Sequence, residues 1–540
     1  MSASDVNSES NEYHFINSSM WTSLLQNVPC SDCNQFSLNI LTHNSYGFST
    51  KLELVCEKCK KSYGHAFTSQ REKPCRKFDI NTKLTSAFLA IGRGHAALET
   101  FSAILGTPCM DRKTFSKCLE NLCNKNENAK VEMLRISREH VRQTNLYSHP
   151  DLGQNNIIDI TVSYDGTWHK RGHTSLYGIG IVIDIMTSLV VDFVVLSKYC
   201  HECSMAAKDM GEASPEFQIW KSGHSEKCQK NFDGSSGSME MHAAYILWNR
   251  SISDCAMRYT TVLCDGDAKT HQHLNEKKVY GDDVVIVKEE CVNHVAKRLG
   301  TALRNKVKEW RSKGVTLGGR KQGSLTDATI TKLQNFYRKA IVDNVPEVEK
   351  MKASIFATLF HCMSTDAKPM HSKCPDGKLS WCFYNRAKAD NKVPGSHKSM
   401  KTKLSEEVVA KIMPVYQRLA SNEILLRCVS GKTQNANESL HSCIWRKCPK
   451  DVFVSKKRID VAVTAAVSEV NIGYVETLKL NNTEIVDAAF KIAHRRDNRR
   501  LSQRKRKASK QYKKEKKIQT YKKNDKNREK NDLSYEAGKF

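Results

Sequence analysis

Hydrophobic and polar positions change their period several times along the chain, and each change predicts a different element. Between 78 and 145 the apolar residues recur at helical spacing: Leu84, Phe88, Leu89 and Ile91 form one set, and Leu98, Phe101, Ile104 and Leu105 another. The glycine-bearing IGRGH punctuates the two sets. From 157 the pattern turns into near-continuous apolar runs. IIDITVSYDG, SLYGIGIVIDIM and SLVVDFVVLS predict three β-strands in quick succession, the last two joined through Thr187 and Ser188 as a hairpin. A Gly/Ser turn then opens a helix in GSSGSMEMHAAYILWNR, and RYTTVLC predicts a fourth strand. Residues 268–430 predict a long, mostly helical stretch, and NESLHSCIWRK a further helix.

The flanks differ from this middle. FSLNILTH and KLELVC predict short strands within 26–75, and the polar, acidic MSASDVNSESNEYHF predicts a disordered arm over 1–25. No run approaches the roughly 18 apolar residues of a membrane span, and no apolar leader opens the chain. The expectation is a soluble α/β protein of about two to four units, with no membrane partner, in a reducing compartment.

Composition sharpens the choice of partner. The chain has 540 residues, 39% of them hydrophobic, and a formal net charge of +27 from 85 Lys and Arg against 58 Asp and Glu. Such an excess points to a polyanion, with nucleic acid first, ahead of a basic tail that serves only solubility. Residues 495–530 carry 18 Lys and Arg against four acids, a net +14. With few apolar residues, the stretch 491–540 predicts a basic disordered tail. Within it Arg504, Lys505, Arg506 and Lys507 form a run suited to nuclear import or to DNA phosphates.

Twenty cysteines in so long a chain fit zinc or buried thiols better than a secreted disulfide scaffold. Cys30-x2-Cys33 followed by Cys56-x2-Cys59 has the doubled spacing of a four-thiolate zinc ribbon, structural because four protein ligands leave no open position. Cys200, Cys203, His224 and Cys228 form a second set, with His201 as a competitor for His224; otherwise these are unpaired thiols in a loop. His361, His371, Cys374 and Cys382 form a weaker third set, in which Cys362 could replace His361. Cys291-x2-His294 supplies two more ligands or simply sits in a helix.

Acids stand at the ends of three predicted elements. Asp165 lies at or just past the strand in VSYDGTW, Asp265 and Asp267 follow the strand in VLCDGD, and Glu438 lies early in the helix of QNANESLHSCIW. Transfer of a phosphodiester uses two divalent cations about 4 Å apart. Hard Mg²⁺ takes oxygen ligands, so carboxylates at converging strand ends are its natural holders. Taken singly, each acid has a plainer reading: Asp-Gly as a turn, and Glu as a complement to a helix dipole after an Asn cap. Glu438, His441 and Trp445 share one helical face.

From about 78 to 474 the sequence resembles the Mutator-like element transposases, in particular the animal group. Its marks are FDINTKLTSAFLAIGRGHAALETF, SYDGTWHKRGHTSLYGIGIVID, KYCHEC, GSSGSMEMHAA, LCDGDAKT, CVNHVAKRLG and TQNANESLHSCIWRKCPK. The resemblance implies an RNase H-like mixed sheet over 151–267, preceded by the zinc ribbon (26–75) and a helical DNA-binding region (76–150). It also implies a long helical insertion over 268–430, and last core helices over 431–490. It places an Asp-Asp-Glu triad on Asp165, on Asp265 or Asp267, and on Glu438, holding Mg²⁺ (or Mn²⁺). Cys291 and His294 resemble the family's Cys-x2-His mark; His441 stands where a smaller polar residue is expected. The implied reaction is cut-and-paste transposition in the nucleus. Water cleaves one strand at each transposon end, and the freed 3′-hydroxyl attacks target DNA. Its partners would be the terminal inverted repeats, target DNA and further copies of the chain. The rival is a domesticated, catalytically silent zinc-containing DNA-binding protein, against which the three acids stand. A zinc-finger regulator would not need the sheet at 157–264.

Overall fold

A computed structural model of the chain describes residues 12–72, 77–148, 153, 156–170, 174–265, 268–319, 323–378, 380–481 and 485–509. The first elements are α1 (Ser18–Leu25), β1 (Leu38–Tyr46), β2 (Ser49–Cys56), β3 (Ser62–Phe67), α2 (Asp79–Ala90), α3 (His95–Leu105) and α4 (Arg112–Ser148). Next come β4 (Ile158–Trp168), β5 (Tyr177–Asp184), β6 (Val190–Ser197), α5 (His201–Met210), α6 (Pro215–His224), α7 (Met239–Asn249), α8 (Ser251–Cys255) and β7 (Met257–Cys264). They are followed by α9 (Ala268–Glu276), β8 (Val287–Glu290), α10 (Val292–Ser312), α11 (Asp327–Val342), α12 (Val348–Met363) and α13 (Phe383–Ala389). The last are α14 (Glu406–Leu419), α15 (Asn422–Leu426), α16 (Asn435–Lys447), α17 (Lys456–Asn471), α18 (Tyr474–Leu480) and α19 (Asp487–Ala508). The strands form a three-stranded sheet in the order β1-β2-β3 and a mixed five-stranded sheet in the order β6-β5-β4-β7-β8. Among the described residues no helix is long and apolar enough to cross a membrane.

The chain divides into two compact units. The first comprises residues 1–156, 166–247 and 437–497. Its N-terminal sheet is antiparallel, with Leu38 opposite Cys56. Leu89, Leu98, Met110 and Phe115 form a small core under α2, α3 and α4. Gly106 ends α3 in the left-handed conformation at φ 67°, the usual stop for a helix. The β5–β6 hairpin is antiparallel, and β5 is buried at every position, as its unbroken apolar run requires. Asp184 closes its turn by accepting from the Thr187 amide and hydroxyl, both at 2.7 Å. Helix α17 lies along α4, where the Asn471 amide group donates to Ser137 Oγ at 2.8 Å and to Val190 O at 2.9 Å.

The second unit comprises residues 157–165, 248–436 and 498–540. Here β4 runs parallel to β7, and β7 parallel to β8. Tyr164 and Tyr259 each meet the buried Trp248 edge to face, at 5.5 and 5.2 Å between ring centroids. The rest is a helical body. Helix α10 buries Val292, Val295, Ala296, Leu299, Gly300 and Leu303, the stripe of an amphipathic helix. Around it α11, α12 and α14 close a core centred on Leu333, Tyr337, Ile355 and Tyr416, in which Tyr337 donates to Leu419 O at 2.6 Å.

Three elements depart from the expectation. The stretch 268–430 is not purely helical: Val287–Glu290 pairs with β7. Its apolar signal is hidden because Lys288 and Glu290 point inward, with Arg298 reaching Glu290 at 2.7 Å. Part of the arm expected to be disordered is helix α1, capped by the Asn17 side chain, which accepts from the Ser19 amide. The basic stretch from 491 is helical as far as Ala508. Its Arg, Lys, Gln, Leu and Ala residues favour a helix, and no Gly or Pro interrupts them. Residues 510–540 lie outside the described residues.

Among the described glycines of the first unit, Gly92 is the one whose added Cβ would meet a neighbouring backbone atom. Its φ is 77°, and a Cβ there would stand 2.2 Å from the Arg446 carbonyl oxygen. Gly106 is also left-handed but has open space around it. G106A is expected to cost about 1 kcal/mol of conformational strain, and G92A about 2 kcal/mol or more. Equal losses in chemical denaturation would show that the approach to Arg446 does not constrain position 92.

Candidate functional site

The acids are positioned by the β4–β7 pair. Its ladder runs from Ile158 opposite Met257 to Ser163 opposite Leu263. Asp165 and Asp265 each stand two residues beyond that last pair. Because the strands are parallel, both acids lie toward the same end of the pair, just beyond its paired stretch. Asp265 comes directly after β7 and is exposed. Asp165 is half-buried and lies inside β4, which continues to Trp168, rather than at its end as expected. Asp267 lies outside the described residues. Glu438 is exposed in the first turn of α16.

Gln434, which sequence reasoning missed, ties the start of α16 to this sheet. It is 1% exposed. Its side-chain amide donates to Tyr164 O at 2.8 Å, next to Asp165, and reaches Leu263 O at 3.4 Å. Its backbone N–H points to Cys291 Sγ at 3.5 Å. Glu438 follows Gln434 by four residues, about one helical turn. Nothing in a polar QNANE stretch distinguishes a buried Gln from an exposed one.

Farther along α16, Trp445 Nε1 donates to Thr167 Oγ1 at 2.8 Å, and the His169 ring meets Pro449 O at 3.3 Å. Burial holds the His441 imidazole down, at about 4, so it is neutral at physiological pH.

Asp265 also lines a cleft of about 820 Å³ with His294, Lys297, Arg298 and Arg418. Three of these are basic side chains, and Arg298 is steadied by the buried Glu290. Of the pair Cys291 and His294, the first is buried at the start of α10 and the second faces this cleft. Neither belongs to a candidate metal cluster among the described residues.

The three predicted Cys/His sets each converge, with one ligand atom per residue lying within 4.8 Å of the others. In the first, Cys30 Sγ stands 3.6 Å from Cys59 Sγ, and Cys33 Sγ 3.6 Å from Cys56 Sγ. Two matching turns build it. The Asn34 amide donates to Cys30 O, and the Lys60 amide to Cys56 O, both at 2.9 Å. Asn34 and Lys60 are both left-handed, at φ 55° and 62°. The Cys59 amide and the Ser37 hydroxyl, aimed at Cys56, hold its thiol down at about 6.

In the second set, Cys200 Sγ stands 3.3 Å from His224 Nε2, and Cys203 Sγ 3.4 Å from Cys228 Sγ. Glu202 lies 3.2 Å from His224 Nδ1, and Trp220 stacks on that ring at 4.6 Å. Burial opposes ionisation of Cys200, yet the amides of Cys203 and Gln229 and the His224 ring bring its thiol down to about 6. His201 turns to the Tyr199 hydroxyl instead. The third set, His361, His371, Cys374 and Cys382, is buried throughout. The neighbouring thiol of Cys374 helps drive Cys382 down to about 4, while Cys374 itself is driven up. Cys362 packs into the helical core. The first set offers four sulfur donors and the other two mix sulfur with imidazole; all of these suit zinc, and each set can hold such an ion.

A family model described as Mutator-like transposase matches residues 14–382, more than half of the chain. The match takes in the first cysteine set as well as Asp165 and Asp265, and ends before Glu438. No curated protein matches the chain.

Replacing Gln434 by Leu would leave the buried Tyr164 carbonyl without its 2.8 Å donor. A loss of about 1–3 kcal/mol is expected in denaturant unfolding. A midpoint equal to that of the unsubstituted protein would show that this bond does not hold the start of α16.

Proposed function

The chain belongs to the Mutator-like transposase family, and we propose that it is a DNA transposase acting through Asp165, Asp265 and Glu438 on an RNase H-like core. The observation that carries this reading is the shared register of Asp165 and Asp265, two residues beyond the last pair of neighbouring parallel strands. That register favours Asp265 over Asp267 as the second acid.

Among the described residues these three carboxylates do not form one of the candidate metal clusters; brought together, they would offer the hard oxygen donors that Mg²⁺ or Mn²⁺ takes. Such ions supply Lewis-acid stabilisation of the attacking and leaving oxygens of a phosphodiester. The protein's own part is positioning. Asp165 and Asp265 are presented by a sheet, and Gln434 fixes the point from which the helix carrying Glu438 departs. Lys297, Arg298 and Arg418, lining the cleft at Asp265, favour a polyanion there. His441, held neutral by burial, adds no charge near Glu438.

On this reading the protein cleaves transposon ends and transfers the freed 3′-hydroxyl into target DNA. The first two Cys/His sets hold structural Zn²⁺. The N-terminal sheet and helices α2–α4 read the terminal inverted repeats. The basic C-terminal residues, including Arg504, Lys505, Arg506 and Lys507, bind phosphates and direct nuclear import. Two transposon ends must be held at once, which calls for a homo-oligomer.

D165A, D265A and E438A are each expected to abolish Mg²⁺-dependent cleavage of end-repeat DNA while leaving DNA binding largely intact. Retained cleavage in all three would overturn the active-site assignment. Binding without cleavage by the unsubstituted protein would instead favour the domesticated, silent reading.

The tail is best removed after 509. Asp497 accepts from the Tyr474 and Val475 amides and so caps α18, which a cut at 494 would undo. Removal of 510–540 is expected to weaken DNA binding and to lower the salt slope by about 0.9 for each phosphate that those residues neutralise. An unchanged slope would show that the tail neutralises none.

A further inference from the structure

In the third Cys/His set a chain of two further side chains runs from one ligand to the exposed carboxylate of Asp366. His371 Nδ1 faces the cluster, 3.1 Å from His361 Nδ1, 3.8 Å from Cys374 Sγ and 3.5 Å from Cys382 Sγ. Cys374 Sγ lies 3.7 Å from His361 Nδ1. A tetrahedral zinc with ordinary bond lengths has edges of about 3.3 Å between nitrogens and about 3.6 Å between nitrogen and sulfur. The cluster has those dimensions without adjustment. An assembly held only by hydrogen bonds fits less well, because several acceptor atoms then converge at one buried point with few protons to share.

The far side of His371 matches the metal-binding tautomer. With Nδ1 presenting its lone pair to the centre, Nε2 carries the proton, and it stands 2.8 Å from His397 Nε2. His397 then carries its own proton on Nδ1, 2.6 Å from Asp366 Oδ1. Asp366 is oriented in turn by the His397 amide at 2.7 Å and the Ser396 hydroxyl at 2.5 Å. Every donor in this chain meets one acceptor. Tyr384 stacks on the His371 ring at 4.5 Å. Asn385 ties the ligand turns together, donating through its side chain to Cys374 O at 3.1 Å and through its backbone to Cys382 Sγ at 3.4 Å.

We infer that His361, His371, Cys374 and Cys382 form a structural Zn²⁺ site, and that His397 and Asp366 are positioning residues that fix His371 in the metal-binding tautomer. The site staples the segment 364–405, which among the described residues holds only α13 and a short 3-10 turn, to the end of α12. Partners of this kind orient a ligand and raise its basicity, so their loss weakens metal binding without removing a ligand. The inference rests on this geometry alone and stands or falls independently of the transposase reading.

The test uses the full-length protein purified under reducing conditions. Zinc analysis is expected to give three equivalents per chain, falling to two in C374S and in C382S. H397Q and D366N are expected to keep three equivalents at saturation, but to release one to a competing chelator with affinity weakened by about 10- to 100-fold. Where the cysteine variants fail to fold, cobalt substitution of the unaltered protein serves instead. A third equivalent with thiolate absorption appropriate to two sulfurs is expected. Only two metal equivalents in the unaltered protein would overturn the site. Three equivalents with unchanged affinity in both H397Q and D366N would overturn the positioning role.

Discussion

The parallel pairing of β4 with β7 is the constraint on which the candidate chemistry depends. The two strands are separated by some ninety residues of chain, and a parallel pair cannot be made by a tight turn. Everything between them, the β5–β6 hairpin and helices α5 to α8, is the crossover. The register then decides what the strand ends present. A slip of one residue would place Asp165 and Asp265 on opposite faces. The edge-to-face packing of Tyr164 and Tyr259 on Trp248 resists such a slip, because all three rings are fully buried. Gln434 binds across the carbonyls of both strands and so depends on the same register.

With a metal bound, the Cys/His sets would do for the loop-rich segments what apolar packing does for the helical body. The N-terminal sheet has few buried apolar residues of its own: Leu38 together with Cys30 and Cys56. The core of α10, α11, α12 and α14 needs no such aid, being built from more than twenty buried side chains in one cluster. Where a segment is too small or too polar to offset the cost of its own ordering, a metal held by four side chains would supply the missing free energy, and folding and metal binding would become one event.

Charge is arranged on two scales. Locally, Glu290 is buried on β8, paired with Arg298 and near Lys288, an ionic group that costs desolvation and is tolerated because its partners are in place. Over the whole chain the +27 excess is a statement about partners rather than about the fold. The cleft at Asp265 brings part of that excess to one of the acids.

Periodicity alone was enough to read the strands β4 to β7, the amphipathic helices and the doubled Cys-x2-Cys spacing, because those patterns follow from the local geometry of the backbone. The family was legible in ordered blocks such as SYDGTW and LCDGD. Other features belong to tertiary structure because they depend on what lies opposite. The strand β8 is masked by inward-facing Lys288 and Glu290, whose burial makes sense only beside Arg298. Gln434 reads as one more polar residue until Tyr164 and Leu263 are placed next to it. His397 and Asp366 lie 26 and 5 residues from His371 in sequence, and no spacing rule joins them; only the folded segment brings His397 within 2.8 Å of His371. Composition and local pattern determine which elements form and which chemistries are on offer. Long-range pairing, whose free energy depends on the whole chain, decides which of those groups meet.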